Sequence, residues 1–253
     1  MLRGTSAALA VCVLLLSFLG SADGEWPHEV ICDDGVMGPM EVADLSNVGC
    51  DQAFCRASDH TSLIRFTWDR GTYVCDTLLT FAPAQIRLMQ LGDTDQDGVQ
   101  ELYLTTTVTE HALYRIDYDG QGFSAMFIDA LPGDSKEMVV GAGMNQPGSE
   151  EIYIFIEDQG IYAYRHLEGS AWAATHVYDT TELDPYIAIG DLDRDGLNEL
   201  YATHQNGWAY LIRLDFVDPS WQSQDVCMGM PLPQPDGDRD PYVTYRGLLM
   251  ADL

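Results

Sequence analysis

The stretch Leu91-Gly92-Asp93-Thr94-Asp95-Gln96-Asp97-Gly98-Val99-Gln100-Glu101-Leu102-Tyr103 decides the reading of this chain. It returns almost unchanged as Ile189-Gly190-Asp191-Leu192-Asp193-Arg194-Asp195-Gly196-Leu197-Asn198-Glu199-Leu200-Tyr201. Each copy places Asp on three alternate residues, follows the last with Gly, and ends on a Glu before Leu-Tyr. Carboxylates crowded into one tight loop repel each other unless a cation sits among them. Oxygen-only donors on a flexible loop suit Ca²⁺, a hard ion that takes about six to eight oxygens. Gly98 and Gly196 permit the sharp bend that folds the loop back on the ion. The expected ligands are the side chains of Asp93, Asp95, Asp97 and Glu101 with the Val99 carbonyl. In the second copy they are Asp191, Asp193, Asp195 and Glu199 with the Leu197 carbonyl, which makes about two sites.

Two other readings compete. An EF-hand loop lies between helices and carries its bidentate Glu at the twelfth position. Leu104 and Ala202 occupy that position here, and the flank Leu102-Tyr103-Leu104-Thr105-Thr106-Thr107 is aromatic and β-branched, which favours a strand. A metal-free Asp/Gly surface turn would need the same coincidence twice.

The copies belong to a longer repeat. Asp93 and Asp191 are separated by two steps of about 49 residues, a period in the range of propeller blades. The halfway segment, Val140 to Tyr153, keeps the Glu151-Ile152-Tyr153 ending but has lost the aspartates. One step before Asp93 lies Asp44, where Gly49 holds its place while Ser46 and Val48 replace the second and third Asp. Four units result, near 43–91, 92–140, 141–189 and 190–249, and only the second and fourth keep the acidic loop. Arg65, Arg115, Arg165 and Arg213 form one column of this register, and Tyr73, Phe123, Trp172 and Trp221 form another. The arginines read as within-sheet ion pairs or a solvated face in preference to a ligand site. The aromatics read as blade packing in preference to a sugar platform.

Each unit reads as four short strands, in the second unit Gln85–Leu91, Glu101–Thr107, Ala112–Tyr118 and Phe123–Ile128. Turns fall at Glu110-His111 and Asp119-Gly120-Gln121-Gly122, at Asp158-Gln159-Gly160 in the third unit, and at His204-Gln205-Asn206-Gly207 in the fourth. No 3.6-residue apolar period is visible after the N-terminal segment. Four antiparallel strands repeated at this spacing mark an all-β fold, a β-propeller of four-stranded blades. Glu29 to Asp33 reads as a fourth strand and Leu248 to Leu253 as a first strand entering its loop, so four blades and a stub at 250–253 suggest an incomplete propeller.

With these repeats laid out, the chain resembles the FG-GAP/VCBS repeat family, the propeller repeats also found at the head of integrin α subunits. The match rests on Asp-x-Asp-x-Asp-Gly-x-x-Glu-Leu-Tyr at Asp93–Tyr103 and Asp191–Tyr201, and extends from about Val42 to Leu253 if the degenerate units are counted. The resemblance implies a calcium-stapled propeller of usually seven or eight blades. It carries over no ligand-contacting residue, because that family shares a scaffold and not a specificity.

Composition bounds the setting. Residues 1–24 carry Arg3, an apolar run from Ala7 to Leu19 and a small-residue end at Ala22-Asp23-Gly24, the pattern of a secretory signal peptide. The rest, 25–253, is expected to be exported, as a secreted or cell-surface protein without a membrane span. The formal net charge is −28, with 40 acidic residues against 12 Lys and Arg, which argues against nucleic acid and anionic membranes as partners. Either a saline habitat or a bias in genome composition accounts for such a surface. Beyond the leader stand Cys32, Cys50, Cys55, Cys75 and Cys227, for which Cys50–Cys55 or Cys32–Cys75 disulfides are conceivable in an oxidising compartment. No Cys-x-x-Cys supports zinc or dithiol chemistry.

The function expected is a calcium-binding module for adhesion to, or binding of, an extracellular carbohydrate or protein. A structural repeat segment of a larger adhesin and a polysaccharide-degrading enzyme on the same scaffold are the alternatives. No Gly-x-Ser-x-Gly elbow is present, and His28-Glu29-Val30-Ile31-Cys32 lacks the second His of a zinc-protease helix. No catalytic residue is named, since the abundance of acids makes any chosen pair arbitrary. His60 and His111 fall in turns between second and third strands.

Overall fold

The computed structural model describes residues 36–144, 148–179, 186–205, 208–217 and 220–231. Among the described residues there are strands and no helix. The first sheet comprises β1 (Val36–Ala43), β2 (Gln52–Ala57), β3 (Ser62–Asp69) and β4 (Thr72–Thr80). The second has β5 (Gln85–Gly92), β6 (Glu101–Thr107), β7 (Ala112–Tyr118) and β8 (Phe123–Ala130). The third has β9 (Ser135–Ala142), β10 (Glu150–Ile156), β11 (Gly160–His166) and β12 (Trp172–Tyr178). The fourth has β13 (Tyr186–Gly190), β14 (Glu199–Gln205), β15 (Trp208–Val217) and β16 (Ser220–Pro231). Every sheet is an antiparallel meander in chain order. The strands expected in the second unit appear within two residues of their predicted ends.

The second strand of each sheet is the most buried, and its alternating side chains serve two different interfaces. Leu102 and Leu104 of β6 join Phe54, Leu63, Ile86 and Met89 in a cluster between the first and second sheets. Tyr103 between them faces the other way, into a cluster with Met138, Ile152, Ile154 and Tyr164 of the third sheet. β10 repeats the division, with Tyr153 and Phe155 joining Ile187, Leu200, Ala202 and Ile212 of the fourth sheet. Burial on both faces explains why these strands read as continuous apolar runs and not as an alternation.

The sheets follow one another in chain order with their first strands adjoining, β1 against β5, β5 against β9 and β9 against β13. A Cβ on Gly92 would collide with Val140 Cγ1, and one on Gly141 would lie 3.0 Å from Ile189 Cδ1, so glycine at the end of the first strand lets the next sheet approach. Polar links cross the same junctions. Arg56 Nη1 donates to the Ile86 carbonyl at 2.8 Å, and the Thr105 and Ser135 hydroxyls are 2.7 Å apart.

Three members of the aromatic column pack between neighbouring sheets. Phe123, Trp172 and Trp221, each at the start of the fourth strand of its sheet or one residue into it, meet Phe54, Tyr103 and Tyr153 of the preceding sheet edge to face, with centroids 5.8, 6.1 and 6.2 Å apart. Such pairs contribute about 0.5–1.5 kcal/mol each beyond the area they bury. Tyr73 instead meets Trp68 across its own hairpin.

Cys50 and Cys55 do not pair: Cys55 is buried in β2 while Cys50 is exposed in the preceding turn, and no disulfide joins Cys50, Cys55 and Cys75 among the described residues. Pro231 ends β16 opposite Trp208. The residues read as a signal peptide, Glu29–Asp33 with Cys32, the turn at Asn206-Gly207 and the stub 250–253 lie outside the described residues. Among the described residues no helix is long and apolar enough to cross a membrane.

Candidate metal centres

Both acidic loops connect a first strand to a second, β5 to β6 and β13 to β14. Their bend is built by the first aspartate. Asp93 accepts from the backbone N–H of Asp97 at 3.1 Å through Oδ1 and from Gly98 at 3.0 Å through Oδ2. Asp191 accepts from Asp195 and Gly196 at 3.0 and 2.9 Å in the same way. The third aspartate holds the exit, with Asp97 Oδ1 accepting from Val99 N–H at 2.7 Å and Asp195 Oδ1 from Leu197 N–H at 2.8 Å. Gly98 and Gly196 have φ of 86° and 89°, the left-handed region that glycine enters without strain.

This folding brings four carboxylates of each loop together. Oxygens from Asp93, Asp95, Asp97 and Glu101 all lie within 4.8 Å of one another, and so do those from Asp191, Asp193, Asp195 and Glu199. The set is all oxygen and anionic, which fits a hard divalent cation such as Ca²⁺. The glutamate is the buried member: Glu101 is 5% exposed and Glu199 2%. Burial pushes the Glu101 carboxyl up to about 7, although the Tyr103 hydrogen bond and the Arg115 charge pull the other way. Glu199 is raised for the same reason. A cation held against these groups would favour their ionised form.

The tyrosine two residues after each glutamate anchors it. Tyr103 donates to Glu101 Oε2 at 2.8 Å and Tyr201 to Glu199 Oε2 at 2.8 Å. Tyr153 makes the equivalent bond to Glu151 at 2.6 Å in the third sheet. The Tyr103 hydroxyl also meets Thr94 Oγ1 at 2.7 Å, tying the loop to the buried strand. The Glu-x-Tyr ending is thus a hydrogen-bonded brace, and it survives in the third unit, whose loop has lost its aspartates.

The first loop shows what remains without the acidic set. Asp44 keeps the bend, accepting from Val48 at 2.9 Å and Gly49 at 2.6 Å. Gln52 and Ser46, standing where Glu101 and Asp95 stand, bond each other at 2.7 Å in place of two carboxylates. The loop shape is therefore available without the full set of charges.

Three of the column arginines, Arg65, Arg115 and Arg213, form within-sheet ion pairs, and the latter two also reach the loops. Arg115 bonds Asp95 at 2.7 Å and Asp117 at 2.6 Å, and Arg213 bonds Asp193 and, at 2.7 Å, Asp215. Burial alone would lower the Arg115 guanidinium, but the Asp117 charge and the bonds to Asp95 and Asp117 raise it. The bond to Arg213 likewise holds Asp193 below the usual carboxylate range. Asp117 and Asp215 were missed in the sequence, where their signal was an Asp two residues after the column arginine in the second and fourth units alone. His60 and His111 lie in the turns expected, and His111 Nδ1 is 3.9 Å from Asp134.

Each complete loop borders a cleft whose other wall is the degenerate loop of the preceding sheet. One, of about 490 Å³, is lined by Asp97, Glu101, Arg115 and Asp117 opposite Ser46 and Asn47. The other, of about 360 Å³, places Asp195, Glu199, Arg213 and Asp215 opposite Gly143 and Met144. No protein-family profile matches this chain, and no curated protein matches it either.

Proposed function

We propose that this chain is a secreted, calcium-binding β-propeller of the FG-GAP/VCBS kind that serves as a binding or adhesion module for an extracellular carbohydrate or protein. The observation that carries the reading is the duplicated group of four carboxylates, at equivalent places in two sheets and within 4.8 Å of one another in each. The serial four-stranded sheets with adjoining first strands support a radial, blade-like array. The leader-like residues 1–24 support export.

In this reading Asp93, Asp95, Asp97 and Glu101, with the Val99 carbonyl, hold one Ca²⁺. Asp191, Asp193, Asp195 and Glu199, with the Leu197 carbonyl, hold the other. The ions staple the first strand of a sheet to the second, a structural task. Extracellular calcium modules bind with Kd on the order of 10⁻⁴–10⁻³ M, so at millimolar calcium each ion adds roughly 0.4–1.4 kcal/mol. Ligands are expected at the loop end, where the two clefts open.

The test is binding of the purified chain to a glycan array and to cell surfaces, with calcium and with EDTA, beside an assay for depolymerisation of acidic polysaccharides. Calcium-dependent retention without turnover is the expected result. Turnover would convert the reading to an enzyme, and neither retention nor turnover would leave a structural segment.

A further inference from the structure

The four column arginines divide by partner. Arg115 and Arg213 are each gripped from two sides, by the second aspartate of the loop and by an aspartate two residues further along their own strand. Arg213 Nη2 also lies 3.4 Å from Glu199 Oε1. In the first sheet Ser46 and Thr67 stand at those two places, and Arg65 turns instead to Asp76 at 3.0 Å and over the Phe123 ring. In the third sheet Met144 and Leu167 stand there, and Arg165 Nε is buried without a hydrogen-bond partner. The outer aspartate is present only where the loop is complete.

We propose that Arg115 and Arg213 are built-in counter-cations of the acidic loops, positioning residues that hold each loop in shape before an ion arrives and then oppose the ion, setting its affinity. The inference rests on the calcium-binding reading. In the ion-free loop, four carboxylates share one small volume, and a guanidinium on Asp95 or Asp193 cancels one of their charges. Asp117 and Asp215 bond the guanidinium Nε from the other side, which keeps it from folding away into solvent. A divalent ion among the same carboxylates sits close to that guanidinium, and like charges at such range repel appreciably even through a high dielectric. Arg115 bonds Asp95 through Oδ2, while Asp95 Oδ1 accepts the Asp97 N–H at 3.4 Å.

The test uses the full chain carrying Asp195→Ala, so that the loop at Asp93 alone reports. Arg115→Met keeps the apolar stem and removes the charge. It is expected to tighten Ca²⁺ binding by calorimetry roughly tenfold, with 1.4 kcal/mol per tenfold, while lowering the melting temperature in EDTA. Arg115→Lys, which retains the charge, is expected to return Kd toward the parent value. Asp117→Asn keeps an acceptor for Arg115 Nε but removes the carboxylate charge that offsets the guanidinium, so Arg115 should oppose the ion more strongly and Kd should rise several-fold. An Arg115→Met chain that binds calcium equally or more weakly overturns the assignment. Should that variant show no folding transition, Asp117→Asn decides, and tighter or unchanged binding there overturns it. Absence of calcium binding by the parent would instead remove the underlying reading.

Discussion

Glu101→Gln is expected to strengthen the calcium-free protein and to abolish one calcium response. In the absence of an ion, Glu101 is 5% exposed and its carboxyl is pushed up to about 7 by burial, from an ordinary value of 4.5. Ionising it in the folded chain above pH 7 therefore costs about 2–3 kcal/mol relative to the unfolded chain. The sign follows from linkage. A raised carboxyl pKa imposes no penalty below about pH 4.5, a growing one as pH rises to 7, and a constant one above. Glutamine removes that penalty and keeps an oxygen for the Tyr103 hydroxyl, which now donates at 2.8 Å. The chain already contains such a replacement, since Gln52 occupies this place in the first sheet at 4% exposure. In EDTA at pH 8 the variant should melt roughly 4–12 °C higher than the parent, and at pH 4.5 the two should coincide. Adding millimolar calcium should raise the variant by about half the parent's increment, because only the loop at Asp191 still responds. A variant that melts lower in EDTA at pH 8, or that keeps the whole calcium increment, would refute the reasoning.

Other perturbations separate the scaffold from the ion. Gly92→Ala drives a methyl into Val140 at the junction of the second and third sheets, and urea unfolding should show a loss of about 1–3 kcal/mol with or without calcium. Asp44→Ala removes the acceptors of the Val48 and Gly49 N–H groups and should cost about 1–3 kcal/mol by the same assay, leaving calcium stoichiometry unchanged because that loop lacks the ligand set. Burial pushes the Glu41 carboxyl up to about 7, so it favours the folded state at low pH and loses that advantage between about pH 4.5 and 7. Glu41→Gln should flatten the pH dependence of melting across that window.

The parts of the structure legible in the sequence are those with local spacing. The aspartates at alternate positions fixed the loop, and the β-branched run after Glu101 fixed the strand that follows, because both depend on neighbours within a dozen residues. The recurrence of Phe123, Trp172 and Trp221 once per unit marked them as packing residues, but not that their partners Phe54, Tyr103 and Tyr153 lie a whole sheet away. The collision avoided at Gly92 left no local trace, since glycine before aspartate reads as an ordinary turn. Nor did spacing reveal that Tyr103 and Tyr201 brace the glutamates, because an i, i+2 pair on a strand shares a face but need not bond. The cysteines misled because five residues of separation between Cys50 and Cys55 permits a bridge, while strand pairing buries one and exposes the other.

The most direct test is calorimetric titration of Ca²⁺ into the purified chain after removal of divalent ions. Two ions per chain are predicted, one for each group of four carboxylates. The number should fall to one with Asp95→Asn or Asp193→Asn and to none with both. No heat of binding in the parent chain, or unchanged stoichiometry in the double variant, would contradict the account.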